Sequence, residues 1–298
     1  MRVEHRMSID DQPFRVRDIG LPASITPREV PHHYRRVHRA VYASPGLTLG
    51  PVETIRAAWL RAGPESVVGG VSAAVLHGAT FFDHGDNVEL VRAPTGQGRT
   101  RTQVRIVRTD LDPRDVVIVD GMPVTSVIRT AYDLGRRGPA WLGLAHLDDL
   151  TRSTDLDLGV LWRYVVDHPA VRGIRQLRGL IPWIDPNAES SGESYMRHLV
   201  LAQGLPRPET QVKVYDETGR TVAKLDHAYR EEKIAFEFDG FDYHYSDDQR
   251  AADARRDRET ARLGWHTEHR NSVELSTDPF EFIGRLELLL EQRARRRR

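Results

Sequence analysis

Apolar and basic side chains alternate through residues 34–43 (YRRVHRAVYA), the period-2 mark of an exposed β-hairpin arm. Residues 52–62 carry helical periodicity, and 69–77 predict a short small-residue helix beginning near Ser72. Residues 86–92 and 103–109 predict strands on either side of a Gly- and Arg-rich loop, TGQGRTR. A helix is expected over 124–137, capped by Thr125 or Ser126 and stopped before Gly138-Pro139. Residues 140–180 read as helical, with Trp141, Leu144, Leu147, Leu161 and Val165 at apolar positions. The Pro-, Asn-, Ser- and Gly-rich stretch 181–192 marks a domain boundary. Beyond it, Ser190 and Glu193 have capping-box spacing and open a helix to about Gln203. Strands follow at 210–215, 220–229 and 233–239. A second capping box at Ser246–Gln249 opens a charged helix ending at Gly264, then a short strand spans 265–270 and a helix 278–293. The second half therefore reads α-β-β-β-α-β-α.

The two strands around 230–233 carry the sharpest chemistry. Ile234, Phe236 and Phe238 alternate with Ala235, Glu237 and Asp239, so the two carboxylates share one face. On the preceding strand Lys224 and Asp226 share a face. If residue 230 faces residue 233, Asp226 lies opposite Glu237 and Lys224 opposite Asp239, with Cβ atoms ~4.5–5.5 Å apart. Opposed acids destabilise a sheet unless something compensates them. A divalent cation such as Mg²⁺ or Mn²⁺ is one answer, held by the hard oxygens of Asp226 and Glu237. A solvated sheet face on which Lys224 offsets one acid is the other. Glu193 reads first as the N3 acid of its capping box. His227, His266 and His269 are expected in surface or packing roles. The arginines of the charged helix are expected mainly in surface ion pairs with Asp253 and Asp257.

Length, composition and charge narrow the picture. The 298 residues suggest two domains and need no disulfide or structural metal to fold. The absence of cysteine excludes thiol catalysis and zinc fingers. No run approaches the ~20 apolar residues of a membrane span, and the first 20 residues lack the apolar core of a secretory signal. A cytoplasmic protein with no membrane partner is expected. Net charge is zero, but residues 1–182 carry +4 and residues 183–298 carry −4. Of the 43 bases only three are lysine, and Lys213, Lys224 and Lys233 fall within 21 residues around the acidic strands.

The run Glu193…Gly204-Leu205-Pro206…Gln211…Asp226…Glu237-Phe238-Asp239-Gly240…His244…Asp253…Asp257-Arg258…Leu263-Gly264-Trp265 resembles the small domains related to very-short-patch-repair (Vsr) endonucleases, in the PD-(D/E)XK superfamily. The resemblance covers about 189–292. It implies an α/β domain with a restriction-endonuclease-like αβββαβ core, Asp226 and Glu237 as metal ligands, and His244 near the scissile phosphate. Lys224 or Asp239 would orient the attacking water. The superfamily's E-x-K stands here as Glu237-Phe238-Asp239, without the lysine, and Arg270 sits one place later than the usual arginine.

In the first half, Tyr34-Arg35-Arg36-Val37-His38-Arg39-Ala40-Val41-Tyr42, Ser72–Gly78 and Pro123–Leu134 resemble AbiEi-type antitoxin and transcriptional-regulator domains over about 15–140. That implies an α+β domain with a degenerate winged-helix-like start, because only 33 Pro-interrupted residues precede the hairpin. It also implies DNA and a toxin protein as partners, with Arg35, Arg36, Arg39, Arg99 and Arg101 as phosphate contacts. The expected organisation is a regulatory domain over 1–140, a helical connector over 141–182 and a nuclease-like domain over 183–298. Two functions follow from these resemblances. One is a metal-dependent DNA endonuclease with an antitoxin-like N-terminal domain. The other is a non-catalytic, antitoxin-like DNA-binding regulator that keeps the nuclease fold as a scaffold. Oligomeric state is not legible.

Overall fold

The computed structural model describes residues 11–18, 25–81, 87–95, 103–240 and 247–296, with the side chains of 247–250 excluded. The chain divides into two compact units, one running to Leu134 and including Gly159–Tyr164, the other comprising Gly135–Leu158 and the chain from Val165 onward. Both are mixed α/β.

The first unit contains α1 (Val30–His33), β1 (Arg35–His38), β2 (Val41–Ala43), α2 (Pro51–Ala62), β3 (Val67–Val68), α3 (Gly70–Leu76), β4 (Val88–Arg92), β5 (Val104–Arg108), β6 (Val116–Val119), β7 (Met122–Thr125) and most of α4 (Val127–Gly135). The β1–β2 hairpin forms as expected, with a bulge between Arg36 and His38. Phe14 exchanges both backbone hydrogen bonds with Tyr42, and its ring packs on Tyr34. Among the described residues, only the four-residue α1 and a 3₁₀ turn at Val16–Asp18 precede the hairpin as helix. The main sheet runs β5-β4-β3-β7-β6, with parallel β4–β5 and β3–β7 pairs and antiparallel β3–β4 and β6–β7 pairs. Ile55 and Ala58 of α2 pack with Val68, Leu90, Val104, Met122 and Val124 in its core. The expected helix at 124 begins three residues later, because Val124 pairs with both Val117 and Val68 as strand. The β6–β7 turn at Asp120-Gly121 has positive φ at both residues, the geometry that favours a two-residue hairpin turn. Arg129 is buried between Asp115 and Asp133, and Tyr164 donates to Asp115, so this internal cation has two acid partners.

The helical region resolves into α5 (Ala140–Ser153) and α7 (Ile174–Leu180) of the second unit and α6 (Leu158–Asp167), whose residues Gly159–Tyr164 belong to the first. Then come α8 (Ser191–Ala202), β8 (Glu209–Tyr215), β9 (Thr221–Tyr229), β10 (Ile234–Asp239), α9 (Asp247–Arg262), β11 (His266–Asn271), α10 (Ser272–Thr277) and α11 (Pro279–Arg296). The α-β-β-β-α-β order is as expected. Helix α10 was not expected; it opens on a capping box between Asn271 and Glu274. The sheet runs β11-β10-β9-β8, antiparallel except for the parallel β10–β11 pair that α9 connects. One face packs Ile234 and Phe236 against Met196 and Val200 of α8 and Leu275, Phe282 and Leu286 of α10 and α11.

Strand β11 is polar for a reason the pattern alone does not reveal. Its buried Glu268 is held by His266, by Arg270 and by Arg285 of α11. An edge strand can carry an inward acid when three cationic or donor groups satisfy it. Helix α8 is pinned from behind by a fully buried Arg197–Asp148 pair, with Ser194 also donating to Asp148 at 2.6 Å.

Candidate active site

The acidic strands take the register expected of them, with Ile234 opposite Tyr229, Ala235 opposite Ala228 and Phe236 opposite His227. Ladder pairing then stops. At the next step the backbone N–H of Phe238 donates to the Asp226 carboxylate, 3.1 Å away. The strands therefore part at Asp226 and Glu237, and a side chain supplies the missing ladder acceptor. Across the sheet, Glu237 pairs with His269 of β11, and Gln211, with φ of 52°, lies between the residues of β8 that pair with His227 and Leu225.

Asp226, Glu237, Asp239 and Lys224 all line one cavity of about 540 Å³, with Gly240, Asp253, Arg256, Asp257 and His269 among the other walls. Glu237 is 6% exposed. Its Oε2 accepts from Arg256 at 2.9 Å, and among the described residues its buried Oε1 has no hydrogen-bond partner. Burial pushes the Glu237 carboxyl up to about 7, against the opposing pull of Arg256. Burial, reinforced by the charge of Glu193, pushes Asp226 up to about 6. A buried carboxylate without full pairing favours its proton unless a cation replaces it.

Several residues sit where the sequence did not place them. Lys224 does not face Asp239; both oxygens of Glu189 hold its Nζ, at 2.7 and 2.8 Å. The strands have already diverged there, so the projected cross-strand pair is not made. Asp239 instead meets His269 Nδ1 at 3.2 Å, and Asp257 approaches the other ring nitrogen at 3.7 Å. The hydrogen bond to Asp239 raises the His269 pKa, against the opposing effect of burial. His269 thus belongs to the cavity rather than to a surface or packing role. Arg256 likewise faces the cavity rather than only its helical neighbours. Both were hidden because neither element's periodicity says which residues turn toward a neighbouring acid.

Glu193 completes only half of its capping box. Ser190 accepts its backbone N–H, but its own carboxylate takes the N–H of Glu189 and the amide of Gln211, at 3.0 and 2.8 Å. Buried and raised in pKa by that burial, it stands behind Asp226. His227 packs as expected, stacked on Phe236 with its centroid 4.6 Å away and its pKa pushed down to about 3 by burial. His266 is occupied by Glu268. His244 and the Ser246–Gln249 capping box lie outside the described residues or side chains.

Asp226 and Glu237 present carboxylate oxygens to the cavity, and among the described residues the buried Glu237 Oε1 lacks a partner. Among the described residues, no three His, Asp or Glu side chains form a ready metal-binding group. Mg²⁺ needs no such cage, since it is commonly bound through one or two carboxylates, with waters and phosphate oxygens completing the shell.

In the first unit, Arg35 donates to Leu47 O and Arg36 to His38 O, both from exposed positions. Arg39 lines a separate cavity. Arg99 and Arg101 lie outside the described residues. No described helix is long and apolar enough to cross a membrane.

No family model matches the chain. Two Mycobacterium tuberculosis proteins are similar to it: uncharacterized protein MT2308 of strain CDC 1551 / Oshkosh and uncharacterized protein Rv2248 of strain ATCC 25618 / H37Rv. Each is 29% identical over 194 residues, 65% of this chain and 70% of the relative. Among solved structures, the RV2827C protein from Mycobacterium tuberculosis matches 63% of this chain and 75% of its own. It does so at 16% identity and a TM-score of 0.38. A likeness at that level fixes neither fold nor function.

Proposed function

We propose that the second unit is a divalent-cation-dependent DNA endonuclease on a restriction-endonuclease-like αβββαβ core. The observation that carries this reading is the acid pair at the strand fork: buried Glu237 and half-buried Asp226, both raised in pKa, with Glu237 Oε1 unpaired among the described residues in a cavity of about 540 Å³. Two such carboxylates are unfavourable as pure structure. They are suited to Mg²⁺ or Mn²⁺, which when bound polarises the phosphate and acidifies a water. Asp226 and Glu237 would hold the ion. Arg256, released from Glu237, would meet the negative charge that grows on the phosphate oxygens. His269, braced by Asp239 and Asp257, places an imidazole of raised pKa on the same wall. Lys224, fixed by Glu189, marks the outer edge. The resemblances add an antitoxin-like, DNA-binding or regulatory role for the first unit, with a toxin protein as a candidate partner.

One observation favours the rival reading, a non-catalytic DNA-binding regulator. The superfamily's lysine position is Asp239, and the substitute amine of Lys224 is tied to Glu189. Supercoiled plasmid incubated with Mg²⁺ or Mn²⁺ separates the two. The endonuclease reading expects nicked or linear product that EDTA, Asp226→Asn and Glu237→Gln each abolish. Intact plasmid under all metal conditions would overturn the endonuclease reading, and cleavage that survives Glu237→Gln would remove this site from it.

A further inference from the structure

The first unit holds a second cavity, of about 420 Å³, whose walls include Arg15, Arg17, Arg39 and Arg61 together with Val16, Pro27, Tyr42 and Leu60. Three segments bring these cations together. Arg15 and Arg17 come from the stretch that pairs with β2 through Phe14, Arg39 from the tight β1–β2 turn before Ala40 (φ 62°), and Arg61 from the last turn of α2. Arg15 and Arg17 share one acid, Asp18. Among the described residues, Arg39 and Arg61 have no ion pair, and the Arg61 guanidinium stands 3.5 Å from His38 Nδ1, a group that cannot neutralise it. Four guanidinium groups line a single hollow, two of them sharing Asp18, which is not among its walls, and a bound anion would relieve their mutual repulsion. Guanidinium forks match phosphate oxygens in pairs. The hollow exceeds what an inorganic anion fills and falls in the range of small-ligand pockets, ~300–1,000 Å³. Its remaining walls are apolar or aromatic, suited to a flat ring.

We propose that the Arg15, Arg17, Arg39 and Arg61 cavity binds a phosphorylated nucleoside, its phosphate on the arginines and its base against Tyr42 and Leu60. This site is independent of the acidic cavity and of the nuclease reading. The nucleoside phosphate could be a free nucleotide or the terminal nucleotide of a DNA strand. Isothermal titration of the full chain with AMP, GMP, inorganic phosphate, and oligonucleotides bearing a 5′-phosphate or a 5′-hydroxyl distinguishes them. Saturable, salt-sensitive binding of a mononucleotide is expected, about tenfold weaker in Arg39→Gln and in Arg61→Gln, as the loss of one charge-assisted hydrogen bond implies. Arg230→Gln, a surface change in the other unit, should leave it unaltered. Arg39→Lys, which keeps the charge but not the fork, should fall between wild type and Arg39→Gln. Binding of only the 5′-phosphorylated oligonucleotide, with the same arginine dependence, identifies a DNA end as the source. The proposal is overturned if no nucleotide or phosphorylated end saturates the protein, if both glutamine variants bind like wild type, or if inorganic phosphate binds as tightly as AMP.

Discussion

Glu237→Gln tests whether the acid pair is held at an energetic cost. Its carboxyl rises from 4.5 to about 7 on folding, with burial as the main cause. At about 1.4 kcal/mol per tenfold, that gap is worth about 3 kcal/mol. The sign follows from linkage. The folded state holds the proton more tightly than the unfolded state, so this contribution to stability is present below pH 4.5. It declines as pH rises and is lost above about 7. Glutamine has the same shape and no charge to desolvate. The variant should match wild type near pH 4.5 and exceed its stability at pH 8 by up to about 3 kcal/mol. Denaturant unfolding at a series of pH values, read as the difference between the two proteins, measures this. Millimolar Mg²⁺ should stabilise wild type at pH 8 and leave the variant unchanged, because only the ionised carboxylate gains from the ion. Parallel pH curves for the two proteins would refute the account of Glu237 as a strained acid.

Three further outcomes follow from the same unit. Gly192→Ala should cost about 1–3 kcal/mol by overpacking, since a Cβ there would lie 2.2 Å from the Phe238 ring; thermal unfolding detects it. Arg197→Met should cost about 3–5 kcal/mol at pH 8 by leaving Asp148 buried and unpaired. Asp148 is already pushed up to about 6 by burial with Arg197 pulling it down, and without Arg197 it takes a proton more readily, so the loss should shrink at pH 5, as denaturant titration at both values would reveal. Gly173→Ala should destabilise strongly, because Gly173 has φ of 84° and a Cβ would fall 1.9 Å from Arg136 O; soluble yield and melting temperature report it.

The sequence exposed the parts of this molecule that obey simple periods. Strict alternation in residues 234–239 fixed which face carries Glu237, and the short turn before it fixed the register with Asp226. Helix α8 announced itself by Ser190, whose side chain does cap Glu193. What stayed hidden depends on tertiary geometry. Strands β6 and β7 were missed: β6 is VVIV, without alternation, and Pro123 interrupts β7. The end of the β9–β10 ladder is invisible in a pattern, and with it went the true partner of Lys224. His269 was misplaced, and the Glu237 contact that Arg256 makes beside its expected Asp253 and Asp257 pairs was not foreseen, because β11 and α9 are polar on every side, so burial could not be read from composition.

The substitution of the Asp226 carboxylate for a ladder carbonyl makes the two acids unequal as historical witnesses. Asp226 gives the Phe238 N–H its acceptor, so a descendant of this chain that no longer performs chemistry would still be under pressure to keep it, or to change only to asparagine. Alanine there would remove a proposed metal ligand and fray the sheet in one step, confounding any experiment that relies on it. Glu237 also has a structural contact, the Arg256 pair at its Oε2, but among the described residues its buried Oε1 has no partner, so that half of the carboxylate has no such second employment. Among related chains, an acid at 237 is therefore the position that reports on retained chemistry, while an acid at 226 reports in part on architecture.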